Sequence, residues 1–293
     1  MTIQDSRSLP AYRERRRSRI AFVLLHAKNL CLDAPVVALV WQDFLARVWD
    51  APILPIHRIL LAVVAWLAYM GDRLLDGPRQ GRTREGSERH CFVWVHRRPL
   101  FSLWVLVAGA GTVLALTQLE ISDLIPGLTA FLVLALYFVA ARAWPRLWRG
   151  LLPRELLVGL FFAIACSLFV FTTLGRISEP DILTCLAFAM LCCLDCWAIS
   201  CADLHRDLRQ GEWNLVTAYA WARSAFPRAA LTASGLTMAI SLLLAPGPAL
   251  VWRAIALSCL LLFLLFRTAG PTSRLALHAD LTLLTPVLFL LLT

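Results

Sequence analysis

Lysine is almost missing from this chain: Lys28 is the only one among 293 residues. Charge of any sign is scarce as well, at 16% of residues, against 59% hydrophobic. So apolar a composition excludes an ordinary soluble domain. A secretory leader is not expected, because no short apolar region with a small-residue cleavage site follows the arginine-rich start. A second ligand pair at zinc spacing is also missing. Five of the nine cysteines lie within Cys185 to Cys201, and Cys193 and Cys196 form a CxxC. Without partners at metal spacing they read as small, polarizable helix-packing residues.

What is present is a series of apolar runs long enough to cross a bilayer. They fall at about 30–48, 56–75, 99–118, 124–142, 153–174, 181–201, 227–245, 249–267 and 278–292. The expected fold class is therefore all-α: a polytopic membrane helical bundle of about nine transmembrane helices. Residues 1–28 form a basic arm, with Arg13, Arg15, Arg16, Arg17 and Arg19 close together, and 29–293 form a single transmembrane domain. The formal net charge is +9. Its distribution argues for a lipid bilayer as partner and against nucleic acid. With the N-terminus cytoplasmic, all but Arg47, Arg58, Arg176 and Arg253 of the 28 basic residues fall on the cytoplasmic side. That is the positive-inside pattern of a cell (inner) membrane protein with its C-terminus outside.

Two acidic segments interrupt this pattern, Asp72-Arg73-Leu74-Leu75-Asp76 and Asp203-Leu204-His205-Arg206-Asp207. Each has carboxylates four residues apart, hence on one helix face. Each closes an apolar run, where charge needs a compensating partner. The topology places both on the same side of the membrane, with stretches 77–98 and 208–226 after them as candidate lids. Paired carboxylates there suit a hard cation such as Mg2+, which shares its oxygen shell with substrate phosphates. Asp195 lies inside an apolar run, two turns before Asp203, where an acid has either a polar cavity around it or a helix–helix hydrogen bond to Ser, Thr or Cys. Asp33-Ala34-Pro35 reads as a helix start with Pro just inside. The arginines of Arg142-Ala-Trp-Pro-Arg146-Leu-Trp-Arg149 fit either phosphate contact or topology marking.

These stretches together resemble the UbiA superfamily of intramembrane prenyltransferases. Leu32-Asp33-Ala34-Pro35 is similar to its LDKP. Asp72 to Asp76 is similar to the DRxxD half of its first motif, NDxxDRxxD. Tyr137 with Arg142 is similar to YxxxKR, Pro153-Arg154-Glu155 to its PKE helix entry, and Asp203 to Gly211 to its second motif, DxxxDxxxG. The chain departs where Ala68-Tyr69 replaces Asn-Asp, and where Ala34 and Ala141 replace lysines.

The resemblance implies a nine-helix bundle that transfers an isoprenyl group from a polyprenyl diphosphate to a small acceptor. It implies Asp72, Asp76, Asp203 and Asp207 as Mg2+ ligands and catalytic residues. Arg73, Tyr137, Arg142, Asp195, Arg206 and Asn214 would be the substrate-binding set. The alternative is a catalytically inactive protein of the same family, binding lipid or a protein partner. A phosphotransferase would place its acids in one continuous segment, and a transporter would show internal repeats, so both rank below these two.

Overall fold

The computed structural model describes residues 29–80, 88–143, 153–175 and 177–291. The basic arm, Arg82, Arg146 and Arg149 lie outside them. Among the described residues every regular element is a helix. The chain runs α1 (Asp33–Trp49), α2 (Pro55–Gln80), α3 (Glu88–Val95), α4 (Arg97–Gln118), α5 (Ile121–Ala143) and α6 (Arg154–Leu174). It continues with α7 (Glu179–Gln210), α8 (Leu215–Ala218), α9 (Ala222–Ser241), α10 (Pro246–Ala269), α11 (Ser273–Thr282) and α12 (Pro286–Leu290). By length and apolarity α4, α6, α7 and α10 are candidate membrane spans. The all-α class is as the apolar runs predicted, and each run falls on helix.

Local chemistry sets the helix ends. Proline, whose missing N–H is harmless in a first turn, opens α2 and α10. A capping box between Ser178 and Asp181 starts α7. Asp33 is the first residue of α1 rather than its cap, which is Leu32. The last apolar run is not one rod. It breaks at Leu283 to Thr285, before Pro286, which has no N–H to continue the ladder. Among the described residues, both stretches offered as lids are largely helical: α2 continues to Gln80, α3 follows, α7 reaches Gln210, and α8 fills part of the next turn.

The core lies where α1, α6, α7 and α10 meet. Trp41 stacks on Phe188 with centroids 4.0 Å apart, and its indole N–H donates to the Leu283 carbonyl at 2.9 Å. Trp252 donates to Thr184 Oγ1 at 3.0 Å, tying α10 to α7. Between α6 and α7 the contact residues are small: Gly159 and Ala163 face Ala189, Cys192 and Cys193, so the backbones approach closely. The eight described cysteines are free thiols. In contrast α4 and α5 expose Leu106, Val113, Leu116, Leu128, Leu136 and Val139. An apolar band of that extent belongs against lipid.

Successive long helices alternate in direction. Trp49 at the end of α1 donates to Asp181 Oδ1 at the start of α7, at 2.7 Å. His57 Nε2 near the start of α2 lies 3.2 Å from Asp123 Oδ2 near the start of α5. Arg47 donates to the Leu290 carbonyl at 3.2 Å. These contacts define one end of the bundle. The acidic segments lie at the other.

Candidate functional site at the acidic end

The site begins with helix register. Asp72 and Asp76 sit one turn apart near the end of α2, and Asp203 and Asp207 one turn apart near the end of α7. Thirty-two residues make α7 about 48 Å long, against about 30 Å of hydrocarbon, so its last turns project beyond the lipid tails. Asp203, Arg206 and Asp207 belong to that projection.

A dipeptide at the start of α6 bonds the first segment and the stretches flanking the second. Arg154 donates to Asp72 Oδ2 at 2.7 Å. Its neighbour Glu155 is buried and faces α7 and α8. Glu155 Oε1 accepts from Ser200 Oγ at 2.7 Å and from the Leu215 backbone N–H at 3.0 Å. Helical residues in sequence point about 100° apart, so one acid–base pair serves two neighbours on different sides. Asp72 is thus held at the same end of the bundle as the second segment.

Around Asp207 the bonds continue. Asn214 Nδ2 donates to Asp207 Oδ2 at 2.7 Å, while Asn214 Oδ1 caps α8 by accepting from Val216 N and Thr217 N. Gly211, with φ at 65°, turns the chain back so that Asn214 faces the helix it has just left. Arg206 bonds Asp203 and lies 3.7 Å from Asp207 Oδ1. Burial, and then the negative charge of Asp203, push the Asp207 carboxyl up to about 6, against the pull of Arg206 and the Asn214 bond.

The other predicted residues fall in three groups. Tyr137 packs on Phe161 of α6 at 5.7 Å, two turns along that helix from Arg154. Arg73 is half-buried on α2. Asp76 and Arg142 lie on α2 and α5, with side chains outside the described set. Asp195 is separate from the mouth. It is 3% exposed and lines a small pocket with Tyr69, Cys196 and Asp280.

Sequence reading did not assign a role to Glu155, Ser200 or Asp280. The available signal was isolation. Glu155 is the sole acid between Asp123 and Glu179, and Asp280 is the sole acid after Glu212. A lone acid in an apolar run has a buried partner or a ligand.

The residues fit a hard cation in donor type. Asp203 and Asp207 offer oxygen ligands from adjacent turns, and Asp203 makes the second negative charge on Asp207 costly, which a cation relieves. One or two carboxylates completed by substrate phosphates is the usual manner of Mg2+ binding. Among the described residues no three His, Cys, Asp or Glu side chains converge at metal-binding distance.

No family model and no curated protein matches the chain. Among solved structures it is similar to the apo structure of a UbiA homologue from Aeropyrum pernix K1. The identity is 15% and the TM-score 0.58, over 89% of this chain and 98% of that one. Identity at that level speaks for the fold alone. An all-helical bundle of alternating apolar helices, superposable on nearly the whole of that protein, places this chain in the UbiA fold.

Proposed function

We propose that the protein is a Mg2+-dependent prenyltransferase, moving an isoprenyl group from a polyprenyl diphosphate to a small acceptor at the membrane. The observation that supports it best is the Arg154-Glu155 junction, which bonds Asp72 on α2 and Ser200 on α7, one turn before Asp203, at one end of the bundle. Asp72, Asp76, Asp203 and Asp207 are the proposed ligand set. Mg2+, when bound, would neutralise the diphosphate as it leaves.

The chain's own residues do the rest. Arg73, Arg142, Arg154 and Arg206 present guanidinium groups to diphosphate oxygens, for which their planar fork is suited. Tyr137 and Asn214 border the headgroup. The isoprenoid tail lies among the apolar helices, and their dry surroundings protect an allylic cation from water. The acidic end faces the cytoplasm, and the other end faces outward.

The test is isothermal titration of farnesyl or geranylgeranyl diphosphate into the purified protein, with and without Mg2+. Binding that requires Mg2+, and is lost in Asp203→Ala, is the expected result. If no Mg2+-dependent binding occurs, the protein is a lipid- or partner-binding homologue of the same fold. Ala68 and Tyr69 at the start of the first segment favour that second reading.

A further inference from the structure

Asn214 is expected among the substrate-binding residues, yet nearly all of its polar groups are already in use. Its Oδ1 accepts from the Val216 N–H at 3.0 Å and from the Thr217 N–H at 2.8 Å. Its own N–H donates to Thr217 Oγ1, and its carbonyl accepts from the Ala218 N–H, each at 2.9 Å. These bonds cap α8, and they also decide which way the side-chain amide faces. With Oδ1 over the helix end, Nδ2 is left on the side of α7, where it donates to Asp207 Oδ2 at 2.7 Å. The second Nδ2 hydrogen sits on a residue only 6% exposed.

Glu155 ties this turn to α6. The Leu215 N–H, the one donor of α8 that Asn214 does not serve, donates to Glu155 Oε1 at 3.0 Å across 60 positions of sequence. All four N–H groups of α8 are thereby paired, and the short helix is held from two sides. Asn214 at its head has one setting. For Asp207 the consequence is a fixed carboxylate. An unrestrained Asp turns its terminal torsion over a broad range. A bond to Oδ2 from a donor that cannot itself turn removes that freedom, and it leaves Oδ1 as the oxygen for a cation. Partners of this kind behind a metal ligand orient it, and losing one typically costs about ten- to a hundredfold in metal affinity.

We infer that Asn214 is a positioning residue: it sets the orientation of Asp207 for Mg2+, and it acts on the diphosphate only through that ion. The inference rests on the reading of Asp207 as a Mg2+ ligand. It separates two roles that a single substitution can split. Serine caps a helix about as well as asparagine, but its side chain is too short to serve α8 and reach Asp207 as well. Asn214→Ser therefore keeps the cap and loses the bond to the carboxylate.

The test has two arms, both on the full-length protein in lipid nanodiscs. The chain has two asparagines, Asn29 and Asn214, so 15N-asparagine labelling gives two side-chain amide signals by NMR. Asn214→Ser assigns them by the loss of one. In metal-free protein, Asp207→Ala should shift the Asn214 signal and leave that of Asn29 in place. Mg2+ alone, without diphosphate, should shift the Asn214 signal in the parent and not in Asp207→Ala. In the second arm, Asn214→Ser should raise the Mg2+ concentration that half-saturates farnesyl diphosphate binding about tenfold or more. Affinity at saturating Mg2+ should stay within about twofold of the parent, and the melting temperature within about 2 °C. An unchanged Mg2+ requirement in Asn214→Ser overturns the inference. So does a loss of diphosphate affinity that saturating Mg2+ does not restore, or an Asn214 signal that Asp207→Ala leaves unmoved. If the parent shows no Mg2+-dependent diphosphate binding, the prenyl-transfer reading falls and the NMR arm decides alone: an Asn214 shift with Mg2+ that disappears in Asp207→Ala upholds the inference, and no shift overturns it.

Discussion

Arg154 reaches across 82 positions of sequence to Asp72 and bonds it at 2.7 Å, while Glu155 beside it holds Ser200 and Leu215. A single peptide unit at the start of α6 thereby holds the ends of α2 and α7 together. The two halves of this clasp differ in exposure, and so in what their removal does.

Arg154→Ala should barely affect stability. The Arg154 and Asp72 side chains are 44% and 22% exposed, and exposed pairs contribute up to about 1 kcal/mol. Its effect should appear in ligand binding. A charge-assisted bond to a phosphate oxygen contributes about 1.5–3 kcal/mol, so Mg2+-dependent diphosphate affinity should fall about ten- to a hundredfold. Titration calorimetry beside a thermal melt separates the two effects. A variant that binds diphosphate normally removes Arg154 from the headgroup site.

Glu155→Ala should do the reverse. It leaves the Ser200 hydroxyl and the Leu215 N–H without their acceptor at a buried position, at a cost of about 2–4 kcal/mol. Glu155→Gln keeps one acceptor oxygen and should cost less. Melting temperatures of both variants in one detergent give the order, and an Ala variant as stable as the parent contradicts it.

Gly159→Ala should force α6 and α7 apart. A Cβ there would lie 2.5 Å from Cys193 Sγ, 2.7 Å from Cys193 N and 2.9 Å from the Ala189 carbonyl. Two of these neighbours are backbone and cannot swing aside, so the expected loss is about 1–3 kcal/mol. A Cys193→Ala background removes only the sulfur and should leave most of the loss in place. Full rescue by that background would show that the sulfur alone sets the spacing.

The pH dependence follows from Asp207. Its folded value of about 6 lies above the unfolded one of about 3.8. Its ionised form therefore costs stability above pH 6, and that cost disappears as pH falls towards 4. Without Mg2+, Asp207→Asn should melt higher than the parent at pH 7.5. The difference should narrow between about pH 6 and 4. A gap that is constant with pH would mean that Asp207 titrates as an ordinary surface carboxylate.

Much of this protein is legible along the chain. The apolar runs, the bias of arginine and the two acid pairs depend on local composition and on spacing of three or four residues. One helix and its lipid surroundings decide those features, so they predict the all-α class and mark the acid-bearing helix ends. The helical continuation of α2 and α7 past their apolar runs was not legible, because polar residues extend a helix once packing supports its first part.

Which groups touch was decided only in three dimensions. Nothing near Arg154 in sequence names Asp72 as its partner, and nothing near Glu155 names Ser200. Those pairings arise because α6 packs against α2 and α7, with small residues such as Gly159 fixing how close the α6 and α7 backbones come. Spacing of a few residues selects a face, but contact between faces depends on every helix packed between them.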